Sequence, residues 1–212
     1  SYPVWDLKQK SYKLVSYKPK NWIPLKSISK EALWAIIISE DWAFYQHSGL
    51  DFNQLKIVFK ESLSKGKVSR GASTITQQVI KNSLLDSERS LIRKLKEMIL
   101  AFMVEKKIGK DKILEHYINL IELGRGIYGV KSAAYYYFKK KPKYLNAKEG
   151  AFLAMLLPSP KRYSQSFRIK ELTLYAKEQV SKILKKMKMA KIITDERRIE
   201  LSGQKLLFEE RL

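Results

Sequence analysis

The sequence predicts an all-helical protein, and three observations carry that expectation. From residue 30 onward, apolar residues recur with the 3.6-residue period in one segment after another. Helix start and stop signals punctuate these segments: Thr74 with Gln77 and Asn146 with Glu149 have capping-box spacing, and Pro158 ends an apolar run. Only residues 1–28, with Pro3, Pro19 and Pro24 among scattered Trp and Tyr, read as extended or strand-like chain packing on the body.

In order, the periodicity places helices at about 30–46, 52–64, 74–85, 88–107, 110–121, 129–139, 147–157, 171–191 and 195–209. On the first, Leu33, Ile36, Ile37, Glu40 and Phe44 fall on one stripe, which puts a carboxylate where a core residue belongs. Such a glutamate either finds a specific partner or has its pKa raised toward the range useful for proton transfer. Residues 62–71, polar, basic and broken by Gly66 and Gly71, read as a mobile loop before the 73–82 segment. That segment crowds Ser73, Thr74, Gln77, Gln78, Lys81 and Asn82 around a helix start, where backbone N–H groups and the dipole favour anions. This is more hydrogen-bonding capacity than a simple cap requires.

On the 88–107 helix, Leu91, Ile92, Leu95, Met98, Ile99, Phe102 and Met103 share one face, and Arg89, Arg93, Lys96 and Glu97 gather opposite. The charged side reads either as a solvated face with Arg93 supporting Glu97 at i,i+4, or as a cationic stripe holding a pyrophosphate beside an acid. The 124–129 stretch, with Gly124, Gly126 and Gly129, lacks the strand and acidic follow-up of a dinucleotide site and reads as tight helix packing. The 147–157 helix, apolar nearly all round, is expected at the centre of the core.

Composition narrows the function classes. The 212 residues, 45% hydrophobic and 30% charged, suffice for one sizeable domain or two joined lobes. No cysteine is present, which excludes thiolate nucleophiles, disulfides and Cys-type zinc sites. The only histidines, His47 and His116, lie far apart with no metal-hydrolase motif, and His47 reads as a structural hydrogen-bonder beside the carboxylates. Two S-x-x-K matches, at Ser27 and Ser62, have no K-T-G or S-D-N to accompany them. The net charge of +21 points to a polyanionic partner, with Lys139, Lys140, Lys141, Lys143, Lys185, Lys186 and Lys188 suited to an anionic membrane surface or simply to water. No stretch reaches the ~20 apolar residues of a membrane span. The chain starts at Ser1 without a visible signal peptide, as a fragment parted from an N-terminal anchor would.

Five motifs in fixed order resemble glycosyltransferase family 51, the peptidoglycan glycosyltransferases. E-D-x-x-F-x-x-H-x-G-x-D is met by Glu40, Asp41, Phe44, His47, Gly49 and Asp51. G-x-S-T-I-T-Q-Q-x-x-K-N is met from Gly71 to Asn82, with Ala72 replacing a second glycine. R-K-x-x-E is met by Arg93, Lys94 and Glu97. Lys110, Ile113, Leu114, Glu115, Tyr117 and Asn119 match a K-x-x-I-L-E-x-Y-x-N pattern with an offset, and residues 124–138 resemble a G-x-G-x-x-G-x-x-x-A-A-x-x-Y-F segment. The resemblance covers about 31–163, and the 155–163 ending is similar to the monofunctional branch without a transpeptidase domain.

The resemblance implies a lysozyme-like fold in which residues 29–212 form the glycosyltransferase domain, with a small mobile jaw at about 51–72, C-terminal helices at about 165–212 and the 1–28 segment packed on the body. It implies inverting polymerisation of lipid II into β-1,4 glycan strands with release of polyprenyl pyrophosphate. Glu40 would be the general base and Glu97 would assist departure of the pyrophosphate, directly or through a divalent cation. Lys81, Arg89, Lys96 and Arg93 would bind the donor pyrophosphate. Ser73, Gln77, Gln78 and Asn82 would contact sugar or phosphate, Asp41 and His47 would join them on the substrate, and Asp41 would orient the site or, with Glu40, contact a Mg or Mn ion. The implied partners are lipid II, the growing strand, the membrane surface and other cell-wall synthesis proteins, at the outer face of the bacterial inner membrane. Two other classes stay open. A lysozyme-like peptidoglycan-cleaving enzyme would also place a glutamate at a helix end, yet has no use for clustered cations. A basic helical nucleic-acid-binding module would explain the charge, but no recognised binding motif occurs and two acidic site positions oppose it.

Overall fold

The computed structural model describes residues 2–6, 11–65, 71–83 and 90–210, in two compact units. Arg89 and residues 66–70 of the expected loop lie outside the described residues, whereas residues 62–65 continue a helix.

The first unit comprises residues 1–17 and 43–117. Strands β1 (Tyr2–Asp6) and β2 (Ser11–Val15) pair antiparallel, Tyr2 with Val15 and Asp6 with Ser11. Three helices follow, α2 (Phe52–Lys65), α3 (Ile75–Ser83) and α4 (Leu91–Ile108), and then most of α5 (Lys110–Leu120). The 51–72 segment expected as a jaw belongs to this unit.

The second unit comprises residues 18–42 and 118–212. It begins with α1 (Lys30–Glu40), capped by Ser29, whose Oγ accepts from the Ala32 N–H at 3.1 Å. The helix expected over 30–46 ends at Glu40, and Phe44 falls in the other unit. Glu40 is half-buried rather than a core residue. After α5, strands β3 (Glu122–Gly124) and β4 (Ile127–Tyr128) form a hairpin leading into α6 (Gly129–Phe138). Gly126 turns the hairpin at φ 73°, and the tight helix packing expected here is found at Gly129, at φ 77°, where a Cβ would stand 3.0 Å from the Asn119 carbonyl oxygen of α5. The Asn119 amide in turn clamps the Ile23 backbone, with both hydrogen bonds at 2.9 Å.

Every residue of α7 (Ala147–Leu156) is buried. Its capping box forms as the spacing predicts, with Asn146 and Glu149 bonding each other's backbone N–H at 2.9 Å. Short helices α8 (Pro160–Tyr163) and α9 (Gln165–Arg168) follow Pro158, and α10 (Leu174–Met189) packs on α7 and α1. The last predicted helix divides into α11 (Asp195–Gly203) and a 3-10 turn at Leu207–Glu209. This C-terminal region covers the core. Phe208 meets Phe152 at 5.2 Å between ring centroids, and the buried Lys148 ammonium donates to the carbonyls of Ser202 and Gln204. Burial lowers the Lys148 pKa.

The contact of α1 with α7 requires a glycine. A Cβ on Gly150 would lie 2.5 Å from the Ala32 Cα, too close for any side-chain adjustment to relieve. Gly150→Ala is therefore expected to destabilise the fold by about 1–3 kcal/mol. Gly203→Ala, which meets nothing within 4 Å, is expected to be neutral. Denaturant midpoints of the two variants compare them directly.

Candidate active site

In the second unit, Glu40 is the last residue of α1 and its half-buried side chain lines a cavity of about 420 Å³. Met155 from the end of α7, Pro158 just beyond it, and Tyr175, Gln179 and Lys182 from α10 complete much of the wall. Asp41 is 5% exposed, and its N–H closes the helix on the Ile37 carbonyl at 2.8 Å. Of the two adjacent carboxylates, Glu40 faces the cavity and Asp41 sits at the helix end. Burial pushes the Tyr175 phenol up to about 12, so it keeps its proton at neutral pH.

The rest of the first motif is structural and lies in the first unit. Phe44 is fully buried, with the Lys110 ammonium 4.4 Å from its ring centroid. His47 Nδ1 accepts from the Gly49 N–H at 3.2 Å. Gly49, at φ 93°, presses on α4 so closely that a Cβ would stand 2.9 Å from the Ala101 carbonyl carbon. Asp51 caps α2 by accepting from the Gln54 N–H at 2.8 Å.

The second motif docks on that turn. Thr74 Oγ donates to the Gly49 carbonyl at 2.7 Å and accepts from the Gln77 N–H at 3.2 Å, while Gln77 Oε1 accepts from the Thr74 N–H at 3.0 Å. Gln77 is 3% exposed and its amide closes this cap, so it belongs to the scaffold, contrary to the expected ligand contact. Thr76 donates to Glu105 at 2.5 Å, and Lys110 pairs with the same carboxylate at 2.7 Å. Gln78 accepts from the Tyr117 hydroxyl at 3.4 Å, Asn82 is half-buried, and Lys81 and Ser73 are exposed.

The third motif settles α4 with its glutamate inward. Glu97 is 2% exposed, whereas Leu91 is 90%, Ile92 70% and Phe102 57% exposed. Glu97 and Ala101 are the buried positions of α4, Arg93 and Lys94 are half-buried, Lys96 is exposed, and most of the apolar face points out. Lys94 Nζ reaches Glu97 Oε1 at 2.5 Å and Ser73 Oγ at 3.1 Å, and Arg93 Nη1 lies 3.5 Å from Glu97 Oε2. Arg93 Nε is buried without a hydrogen-bond partner. The cations at Glu97 are thus Lys94 and Arg93. Lys81 and Lys96 form no ion pair with it among the described residues, and Arg89 lies outside them. Sequence reasoning gave Lys94 only as a motif member; its i,i+3 spacing to Glu97 was the available signal.

The transglycosylase family model matches residues 8–188, most of the chain. The chain belongs to the transglycosylase family. Proteins named biosynthetic peptidoglycan transglycosylase are similar to it: that of Herminiimonas arsenicoxydans is 42% identical over 142 residues, covering 67% of this chain and 62% of that protein. That of Paraburkholderia xenovorans is 41% identical over 144 residues, covering 68% and 60%. That of Brucella suis is 39% identical over 158 residues, covering 74% and 70%. The transglycosylase chain thus spans about 60% of the length of the first two.

No group of three or more His, Asp or Glu that could cage a metal ion occurs among the described residues. Glu40 and Asp41 are adjacent carboxylates without a third, and Glu97 is engaged by two cations.

The Lys94–Glu97 pair is expected to couple by roughly 1 kcal/mol, because removing one partner leaves a charge short of compensation at a nearly buried position. A double-mutant cycle of Lys94→Met and Glu97→Gln, read by denaturant unfolding, measures it. Additive effects of the two substitutions would show that the pair does not hold the carboxylate.

Proposed function

We propose that this chain polymerises lipid II, transferring a growing glycan from its polyprenyl diphosphate to the 4-hydroxyl of an acceptor sugar with inversion. Glu40 takes the hydroxyl proton, the oxygen forms the new bond to the anomeric carbon, and the bond from that carbon to the diphosphate oxygen breaks. The electron pair leaves on the diphosphate, where charge develops. Cations of the first unit, Lys94 and Arg93 around Glu97 together with the exposed Lys81 and Lys96, offset that charge. Ser73, Gln78 and Asn82 supply hydrogen bonds to sugar or phosphate. The single observation that carries this reading is a half-buried carboxylate at a helix end lining a cavity, in a chain of the transglycosylase family. A magnesium or manganese ion fits the scheme as a counter-ion of the substrate's diphosphate rather than as a resident, and no step is assigned to it.

A membrane-tethered substrate calls for a membrane-facing surface, at the outer face of the inner membrane, where other cell-wall synthesis proteins also act. No described helix is long and apolar enough to cross a bilayer. The outward face of α4, with Leu91, Ile92, Leu95, Ile99, Phe102 and Met103 all more than half exposed, supports shallow insertion, and Lys106 and Lys107 close the same helix with positive charge. The occupant proposed for this face is the lipid surface itself.

Two outcomes are expected. Incubated with labelled lipid II, the wild-type chain yields a polymer ladder and Glu40→Gln yields none while keeping its helical spectrum. Near-normal polymer from Glu40→Gln, or cleaved sugar in place of polymer, overturns the reading. Ile92→Asp with Phe102→Asp is expected to weaken binding to anionic vesicles by about tenfold or more, since each buried side chain contributes on the order of 1.5 kcal/mol. Unchanged sedimentation with vesicles would remove this face from the membrane contact.

A further inference from the structure

The cavity at Glu40 has a second wall that the proposed chemistry does not use. On α10 the buried face, Ala176, Val180, Ile183, Leu184 and Met187, packs toward the core. Beside it Tyr175, Gln179, Lys182 and Lys186, at i, i+4, i+7 and i+11, form one stripe along the cavity, and Lys185 joins them. At about 1.5 Å per residue, the stripe runs roughly 16 Å, long enough to lie beside a disaccharide. Three lysines and the single carboxylate of Glu40 thus line the same cavity. Lys182 shares an exposed pair with Glu178 at 2.6 Å, which a ligand can exchange at little cost. Lys185 and Lys186 form no ion pair among the described residues.

A general base needs no cluster of lysines to take a proton from a sugar hydroxyl. The acceptor that brings this hydroxyl, however, is itself a diphosphate-linked sugar, and its diphosphate survives the step intact. We propose that Lys182, Lys185 and Lys186 bind the diphosphate of the acceptor, so that α10 selects a lipid-linked acceptor and holds its far end while Glu40 engages the near end. This rests on the polymerase reading of Glu40. Three mobile ammonium groups suit the multiple charge of a diphosphate better than a lone carboxylate on the sugar.

The test uses the full chain with donor cations left intact. Lipid-linked glycan is supplied as saturating donor, and two acceptors are titrated: lipid II, and the same sugar with the diphosphate replaced by an uncharged alkyl group. For Lys182→Gln/Lys185→Gln/Lys186→Gln, the KM for lipid II is expected to rise about tenfold with kcat little changed, while the uncharged acceptor is used as by wild type. In the inactive Glu40→Gln background, with a phosphoglycolipid inhibitor filling the donor site, affinity for a short-prenyl diphosphate disaccharide is expected to fall by a similar factor. An unchanged KM for lipid II, or an equal loss with the uncharged acceptor, overturns the assignment. Polymer from wild type and none from Glu40→Gln in the same assay keeps that failure distinct from failure of the polymerase reading.

Discussion

A carboxylate that is 2% exposed has to be compensated, and much of the first unit follows from how Glu97 meets that requirement. Its cations come from the preceding turn of the same helix, Lys94 and Arg93, so the face of α4 that turns inward is the one these three residues share. Gly49 lets the first motif's turn press against Ala101 on this inward side, and Thr74 ties the second motif to the same turn. With that side fixed inward, Leu91, Ile92, Leu95, Ile99 and Phe102 have nowhere to go but out. An exposed apolar stripe of this size is unfavourable in water and favourable against lipid. The arrangement that holds a buried glutamate and the one that presents an outward apolar surface are one and the same orientation of a helix.

What the sequence made legible were local features. The caps at Thr74 with Gln77 and Asn146 with Glu149 depend on residues three apart, and both form as their spacing predicts. The all-apolar character of α7 marked it as central, and it is buried at every position. Periodicity on α4 identified two opposite faces correctly but could not say which one was buried, because the 3.6 period is the same for a helix facing either way. Of the two readings of its charged side, a wholly solvated face does not hold for Glu97, which is 2% exposed. The hairpin at 122–128 escaped notice because strands of three and two residues are too short to display alternation, and its glycines were read for their size rather than for the positive φ at Gly126 and Gly129.

The stripe argument for Glu40 was half right in an instructive way. Ile36 and Ile37 are buried as the spacing requires, but α1 stops at Glu40, so the carboxylate stands at the helix end and not in the core. A side chain in mid-helix on that stripe would have been enclosed by α7, whose residue at the tightest approach is Gly150. At the end it reaches a cavity instead. The close packing of α1 on α7 positions the glutamate without burying it, a geometry better suited to exchanging a proton with a ligand.

The positive charge read from composition as a uniform excess divides, in the structure, by purpose. Lys140 neutralises the buried Glu149 of the capping box at 2.7 Å, Lys110 neutralises Glu105, Lys94 neutralises Glu97, and Lys148 spends its protons on backbone carbonyls. These lysines hold the scaffold and are compensated within it. Lys185 and Lys186 are exposed, lie along the cavity that Glu40 faces, and have no such carboxylate beside them. Charge that the fold does not need, concentrated at a cavity with one acid, is charge available to a ligand, and an anion is the ligand it favours.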